Sequence, residues 1–221
     1  MMVRHFDRDI ERLKELLLQM GAMVEDAISD SIRALLERDG EIAERVLASD
    51  DAIDRMELEI DQHTIELIAK MQPAAVDLRF VAAAMKITPE LERIADLAVD
   101  VCERAIELNS EAPLKPLIDI PRLARIAQQM VRESLDAFVR RDGALARRVI
   151  MRDDEVDNLT EQSFRELLTY MLEDSRNISR AIRLTFVGKY FERMGDHATN
   201  ICEMVVYLVE GKVIKHSNEA P

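Results

Sequence analysis

The chain contains no tryptophan, six phenylalanines, three tyrosines and two cysteines among its 221 residues. Glycine and proline number only six each. Sandwiches and barrels need frequent turn residues and usually more aromatics, so this scarcity argues against an all-β fold. The cysteines, Cys102 and Cys202, show no CxxC spacing. That argues against a zinc ribbon and for a reducing, cytoplasmic compartment. A Gly-rich phosphate loop and a nucleophile elbow are both missing. No Glu-x-x-His occurs, which argues against a ferritin-like di-iron enzyme. Apolar runs fall well short of the roughly 20 residues that span a bilayer. The best of them, Phe80 to Met85, ends at Lys86, so membrane insertion is not expected. The opening residues, Met1 to Asp7, lack the apolar core and cleavage site of a signal peptide. Basic residues are also in deficit, 30 against 43 acidic, for a net charge of −13. Such a chain repels nucleic acid and anionic lipid, while cations and basic partners suit it.

What the chain has in abundance is amphipathic helix, and it has it twice. Leu91-Glu92-Arg93-Ile94-Ala95-Asp96 returns one hundred residues later as Phe191-Glu192-Arg193-Met194-Gly195-Asp196. Cys102-Glu103 returns as Cys202-Glu203 at the same shift. Arg38-Asp39-Gly40 returns as Arg141-Asp142-Gly143, at a slightly larger shift that implies an indel in a loop. Apolar residues step by four and three throughout. Ile87, Leu91, Ile94, Ala98, Val101, Ala105 and Leu108 are matched by Val187, Phe191, Met194, Ala198, Ile201, Val205 and Leu208. Alternating steps of this kind run one apolar seam along each helix of a bundle.

The expected fold is all-α, two tandem, homologous three-helix bundles. Helices are expected near 7–38, 41–71 and 78–108, then near 121–141, 144–173 and 177–210. Residues 1–110 form the first repeat, 111–121 a proline-bearing linker, 122–212 the second repeat and 213–221 a frayed tail. The glycines of the two Arg-Asp-Gly turns are expected to end their helices in the left-handed region, and Gly211 to end the last helix. Gln72-Pro73 and Asp174-Ser175 separate the later helices, with Asn177 as a cap. Thr88-Pro89 implies a kink, or a restart with Thr88 as the cap.

Acids at helical spacing are the feature that calls for chemistry. Glu92, Asp96 and Asp100 lie four apart and stack on one helix face. Glu192 and Asp196 repeat this, with Asn200 in the third place. Asp50/Asp54 and Asp153/Asp157 form further pairs on the preceding helices. Antiparallel packing would gather four or more carboxylates in each half. Like charges so gathered repel unless a cation neutralises them. Oxygen ligands suit magnesium and manganese, and carboxylate-rich sites also accept iron. The blander interpretation is a solvated outer face, since the Glu92 row projects away from the seam. Against it stand the recurrence of the pairs and the small residues beside them. Nor does any Lys or Arg lie four residues C-terminal to Glu92 or Asp96. Arg104 does follow Asp100 at that spacing, which weakens Asp100. His197 adjoins Asp196 as a candidate supporting partner. His63 reads as an ordinary surface histidine and the cysteines as core.

On these residues the sequence resembles the PhoU family, whose pattern is two three-helix repeats, each with paired E(D)xxxD motifs. Leu91 to Ala98 and Phe191 to Asn200 read as its main signatures, and Asp50/Asp54 with Asp153/Asp157 as the accompanying pairs. The resemblance spans the whole chain. It implies a cytoplasmic adaptor, not an enzyme. Such an adaptor associates with the ATPase subunit of the Pst phosphate transporter and with a PhoR-type sensor kinase, and restrains uptake and the starvation response. It also implies iron or zinc clusters, manganese or magnesium on the paired acids, and a homodimer. Asn200 in place of an acid departs from the first repeat, so two metal sites need not be equal. A carboxylate-bridged metal enzyme and a metal-buffering bundle are the alternatives.

Overall fold

Six long helices make up nearly all of the protein in a computed structural model that describes residues 2–73, 75–212 and 214. They are α1 (Met2–Glu37), α2 (Gly40–Met71), α3 (Ala75–Asn109), α4 (Asp119–Arg140), α5 (Gly143–Glu173) and α6 (Ile178–Glu210). One turn of 3-10 helix, Ser175–Asn177, leads into α6. The spans agree with the periodicity of the sequence to within a few residues. Except for Ile214, the expected tail at 213–221 lies outside the described residues.

α1, α2 and α3 pack on one another as one bundle, and α4, α5 and α6 as another. The bundles join through α3 against α6 and α1 against α4. α3 and α6 run antiparallel. Arg183, early in α6, binds Glu107 and Glu111 beyond the middle of α3, while His197 further along α6 meets Glu90. Both seams are fully buried, including Ile87, Leu91, Ile94, Val187, Phe191 and Met194. Phe80 of α3 stacks on Phe138 of α4 with ring centroids 4.7 Å apart. At Gly21 of α1, a Cβ would meet Leu135 Cδ1 of α4 at 2.2 Å. The glycine therefore lets the two bundles approach.

The turns differ from expectation in an informative way. Gly40 and Gly143 do not end helices. They begin α2 and α5. The left-handed residues are Arg38 (φ 57°) and Arg141 (φ 54°). Asp39 and Asp142 are the N-caps, each accepting backbone N–H bonds from the first turn that follows. Capping by Asp in place of Ala contributes about 1 kcal/mol, comparable to what a left-handed non-glycine residue costs. Arg38 adds more, because its guanidinium donates to the carbonyls of Leu108, Asn109 and Glu111 at the end of α3. Two of them belong to the last turn of α3, where a helix leaves carbonyls short of intrahelical partners.

Two further junctions correct the sequence reading. α3 runs unbroken through Pro89. Thr88 is no cap, since its hydroxyl donates back to the Ala84 carbonyl at 2.9 Å. Asn177 stands at the N-cap of α6 as expected but makes no side-chain cap bond, its Nδ2 donating instead to the Tyr170 carbonyl, while Asp174 caps the 3-10 turn by accepting from the Arg176 N–H. Gln72 ends α2 in the left-handed region, and Gly211 ends α6 there as expected (φ 70°). Pro121 falls in the first turn of α4, where a missing N–H costs nothing.

Candidate metal centre

α2 and α3 bring the first set of acids together, and α5 and α6 the second. Each helix supplies a pair at i and i+4, so both carboxylates of a pair leave the same face. In the second repeat, burial and the negative charges of Asp196, Asp157, Asp154 and Glu192 push the Asp153 carboxyl up to about 6. Asp157 is raised by burial and then by Glu192. Asp196 is raised by burial, Glu192 and Asp157. Asp153 therefore feels acids of both helices, and Asp157 and Asp196 each feel an acid of the facing helix. In the first repeat, burial and then Asp54 raise both Asp50 and Asp96. Burial and then Asp96 raise Glu92.

The acid rows do not point straight away from the core, as a single-seam helical wheel implies. α3 packs against α1, α2 and α6, and α6 against α3, α4 and α5. Little of either helix is left as an outer side. Glu92, Asp100 and Glu192 are half-buried, while Asp96 and Asp196 face outward toward the acids of the neighbouring helix.

Some features were not legible from the motifs. Glu57 joins the first cluster, raised by burial and by Asp61 and Asp54. Its position three residues after Asp54 was the available signal, but the second repeat has Thr160 there. Lys189 bonds Glu192 from three residues N-terminal, a direction opposite to the spacing considered for solubilising pairs. Arg104 pairs with Glu103 and Glu107, and Asp100, raised by burial and then by Glu103, feels Asp96 of the main cluster less than it feels Glu103 and Arg104. His197 is not hydrogen-bonded to Asp196; its Nδ1 pairs with Glu90 of α3 at 2.7 Å, beside the Asn200 amide on the same carboxylate. His63 meets the Asp9 carbonyl. Cys102 and Cys202 are free and fully buried. Burial pushes the Cys102 thiol up to about 12 and raises that of Cys202 as well, which leaves both inert.

The donor set fits a hard cation by its chemistry: carboxylate oxygens gathered on facing helices, with few basic side chains among them. One buried oxygen, Asp153 Oδ1, has no hydrogen-bond partner. Gly195 faces it, so that even a Cβ there would lie 3.5 Å from that oxygen. As the side chains stand, no three acids, histidines or cysteines among the described residues converge on a single ion position. Nor is any described helix long and apolar enough to cross a membrane.

Comparison with known proteins agrees along the whole chain. The family model for the PhoU domain matches twice, over residues 17–105 and 120–205. The phosphate-specific transport system accessory protein PhoU homolog of Aquifex aeolicus is 43% identical over 211 residues, 96% of each chain. The phosphate-specific transport system accessory protein PhoU of Escherichia coli is 39% identical over 211 residues, covering 96% of this chain and 88% of that one. The crystal structure of PhoU from Pseudomonas aeruginosa superposes with a TM-score of 0.90 at 40% identity, over 94% of this chain and all of that one.

Proposed function

We propose, since the chain belongs to the PhoU family, that it couples a Pst-type phosphate transporter to a phosphate-sensing histidine kinase. It is an accessory and regulatory protein of phosphate transport and not an enzyme. In the proposed role it contacts the transporter's ATPase subunit and a PhoR-type kinase when phosphate is plentiful, restraining uptake and the starvation response. The observation that carries this reading is the doubled three-helix unit, matched over nearly the full length of accessory proteins of that system. The acidic, helix-walled exterior supports it, since such a surface suits recognition of basic protein surfaces. Affinity purification of the tagged chain at high and low phosphate tests it. Recovery of the ATPase subunit or the kinase, enriched at high phosphate, is expected. Recovery of neither, with metal still bound, would point instead to a metal-buffering bundle.

The proposed cation sites are Asp153, Asp157, Glu192 and Asp196 in the second repeat, and Asp50, Asp54, Glu92 and Asp96 in the first, with Asp100 at its edge. Magnesium, manganese, iron or zinc would supply positive charge to offset their repulsion. Replacing Asp96 and Asp196 together by Ala is expected to abolish bound metal, read by elemental analysis, with unchanged helical circular dichroism. Stoichiometric metal in that variant would refute the ligand assignment. The family resemblance also suggests a homodimer, which sedimentation would check.

A further inference from the structure

The outer face of the α5–α6 hairpin carries more than its acids. Counted along α5, Phe164 and Leu168 lie seven and eleven residues after Asp157, on the same helical stripe. Counted along α6, Ile182 and Ile178 lie fourteen and eighteen residues before Asp196, which again keeps them on the stripe. Gly195, next to Asp196, faces Asp153, one turn before Asp157: a Cβ on Gly195 would lie 3.5 Å from Asp153 Oδ1, so the two stripes look out on the same side. Phe164, Leu168, Ile178 and Ile182 are 44%, 40%, 41% and 42% exposed. Four large apolar side chains thus adjoin an acid cluster on one groove between antiparallel helices.

The first repeat carries a different version of this face. At the corresponding positions it has Asp61, Ile65, Leu78 and Ala82. Two of the four apolar residues are replaced, one by a further acid. That face keeps exposed Leu58 (67%), Ile65 (54%) and Leu78 (42%) with Asp61 set among them, whereas along α5 the second face changes from Asp157 to Phe164 and Leu168 within about two helical turns.

We propose that this second-repeat face docks an amphipathic helix of a partner protein. The guest's apolar residues, spaced at i and i+4, sit on Phe164, Leu168, Ile178 and Ile182. A Lys or Arg about two turns further along reaches Asp157, beside Glu192, which Lys189 on the same stripe already pairs. Charge decides the occupant. A second copy centred on the apolar patch would bring two like-charged acid clusters to flank the contact, and the chain carries a net charge of −13. A basic guest meets opposite charge there and has its direction along the groove fixed by it. The inference stands on this surface alone and not on a bound metal, which would compete with the guest for the same carboxylates.

Photocrosslinking tests it. p-Benzoylphenylalanine is placed at position 164 in the full chain, and at position 61 as the control. Both are irradiated in solubilised cells with EDTA, and the crosslinked peptides are sequenced. From 164, the expected product is a helical segment of another protein with apolar residues at i and i+4 and a basic residue two turns on; from 61 that product is absent. Its yield should fall about tenfold in Ile182→Asp and in the Asp157→Asn/Glu192→Gln pair, and fall at about 0.5 M NaCl. Crosslinks to a second copy of the chain or to lipid, equal yield from 61, insensitivity to the neutralised acids, or no crosslink at all would overturn the proposal.

Discussion

Asp153 holds its proton to about pH 6 because it is half-buried among acids on its own and the facing helix. Its folded pKa therefore lies above the ordinary 3.8. Between those two values the folded chain binds more protons than the unfolded one. Without metal, stability should fall as pH rises through that window and level off above it. Asp153→Asn removes the effect. Urea unfolding in EDTA should find the variant more stable at pH 7.5 by about 1 kcal/mol, after allowance for solvent screening. The gain should vanish near pH 4, and a variant less stable at pH 7.5 would contradict the repulsion. The sequence made the four acids of this cluster legible through their spacing and their recurrence. It could not show which one is squeezed hardest. That depends on Asp154, on Lys189 held against Glu192, and on how three helices close around α6. Glu57 was hidden because a repeat-based search discards what only one repeat has. Arg38 and Arg141 offer a contrast at the same scale. Both take a left-handed conformation, but only Arg38 feeds three carbonyls; Arg141 lies 5.3 Å from the Phe80 ring. Substitution by Gly relieves about 1 kcal/mol of strain at each. Arg38→Gly should still destabilise by about 1 kcal/mol, since bonds from a charged donor are worth roughly 1.5–3. Arg141→Gly should be near neutral. Thermal or urea unfolding of the two variants would reveal equal effects if this account were wrong.

Helix spans and order were readable because the apolar steps of four and three report burial directly, and burial is what stabilises a long helix. The ends were not. Whether Arg38 or Gly40 turns left-handed is settled by the end of α3, some seventy residues along the chain, which no local pattern encodes. Pro89 belongs to the same class. The helix continues because α3 is held along its length by neighbours on three sides. The acid rows keep Asp96 and Asp196 exposed but leave Glu92, Asp100 and Glu192 half-buried, for a related reason. One seam per helix suits a three-helix bundle in isolation, whereas α3 and α6 serve two bundles each.

The two halves are copies in sequence but not separate bodies. Phe80 and Phe138 stack across the boundary, Gly21 admits Leu135, and Arg183 ties α6 to Glu107 of α3 and to Glu111 just beyond it. One cooperative transition in urea is expected from both circular dichroism and tyrosine fluorescence. Phe80→Ala should shift it by about 3–5 kcal/mol as a single step. Two separated transitions would mean the repeats fold independently. The buried cysteines give this question an internal clock. Cys102 and Cys202 occupy matching places, one per repeat, and neither thiol touches solvent. A thiol reagent can reach either only when the surrounding helices part. The two labelling rates, followed separately by mass, therefore time the opening of each half. A chain that opens as one unit will lose both thiols together, and a chain that breathes at one end will lose one first.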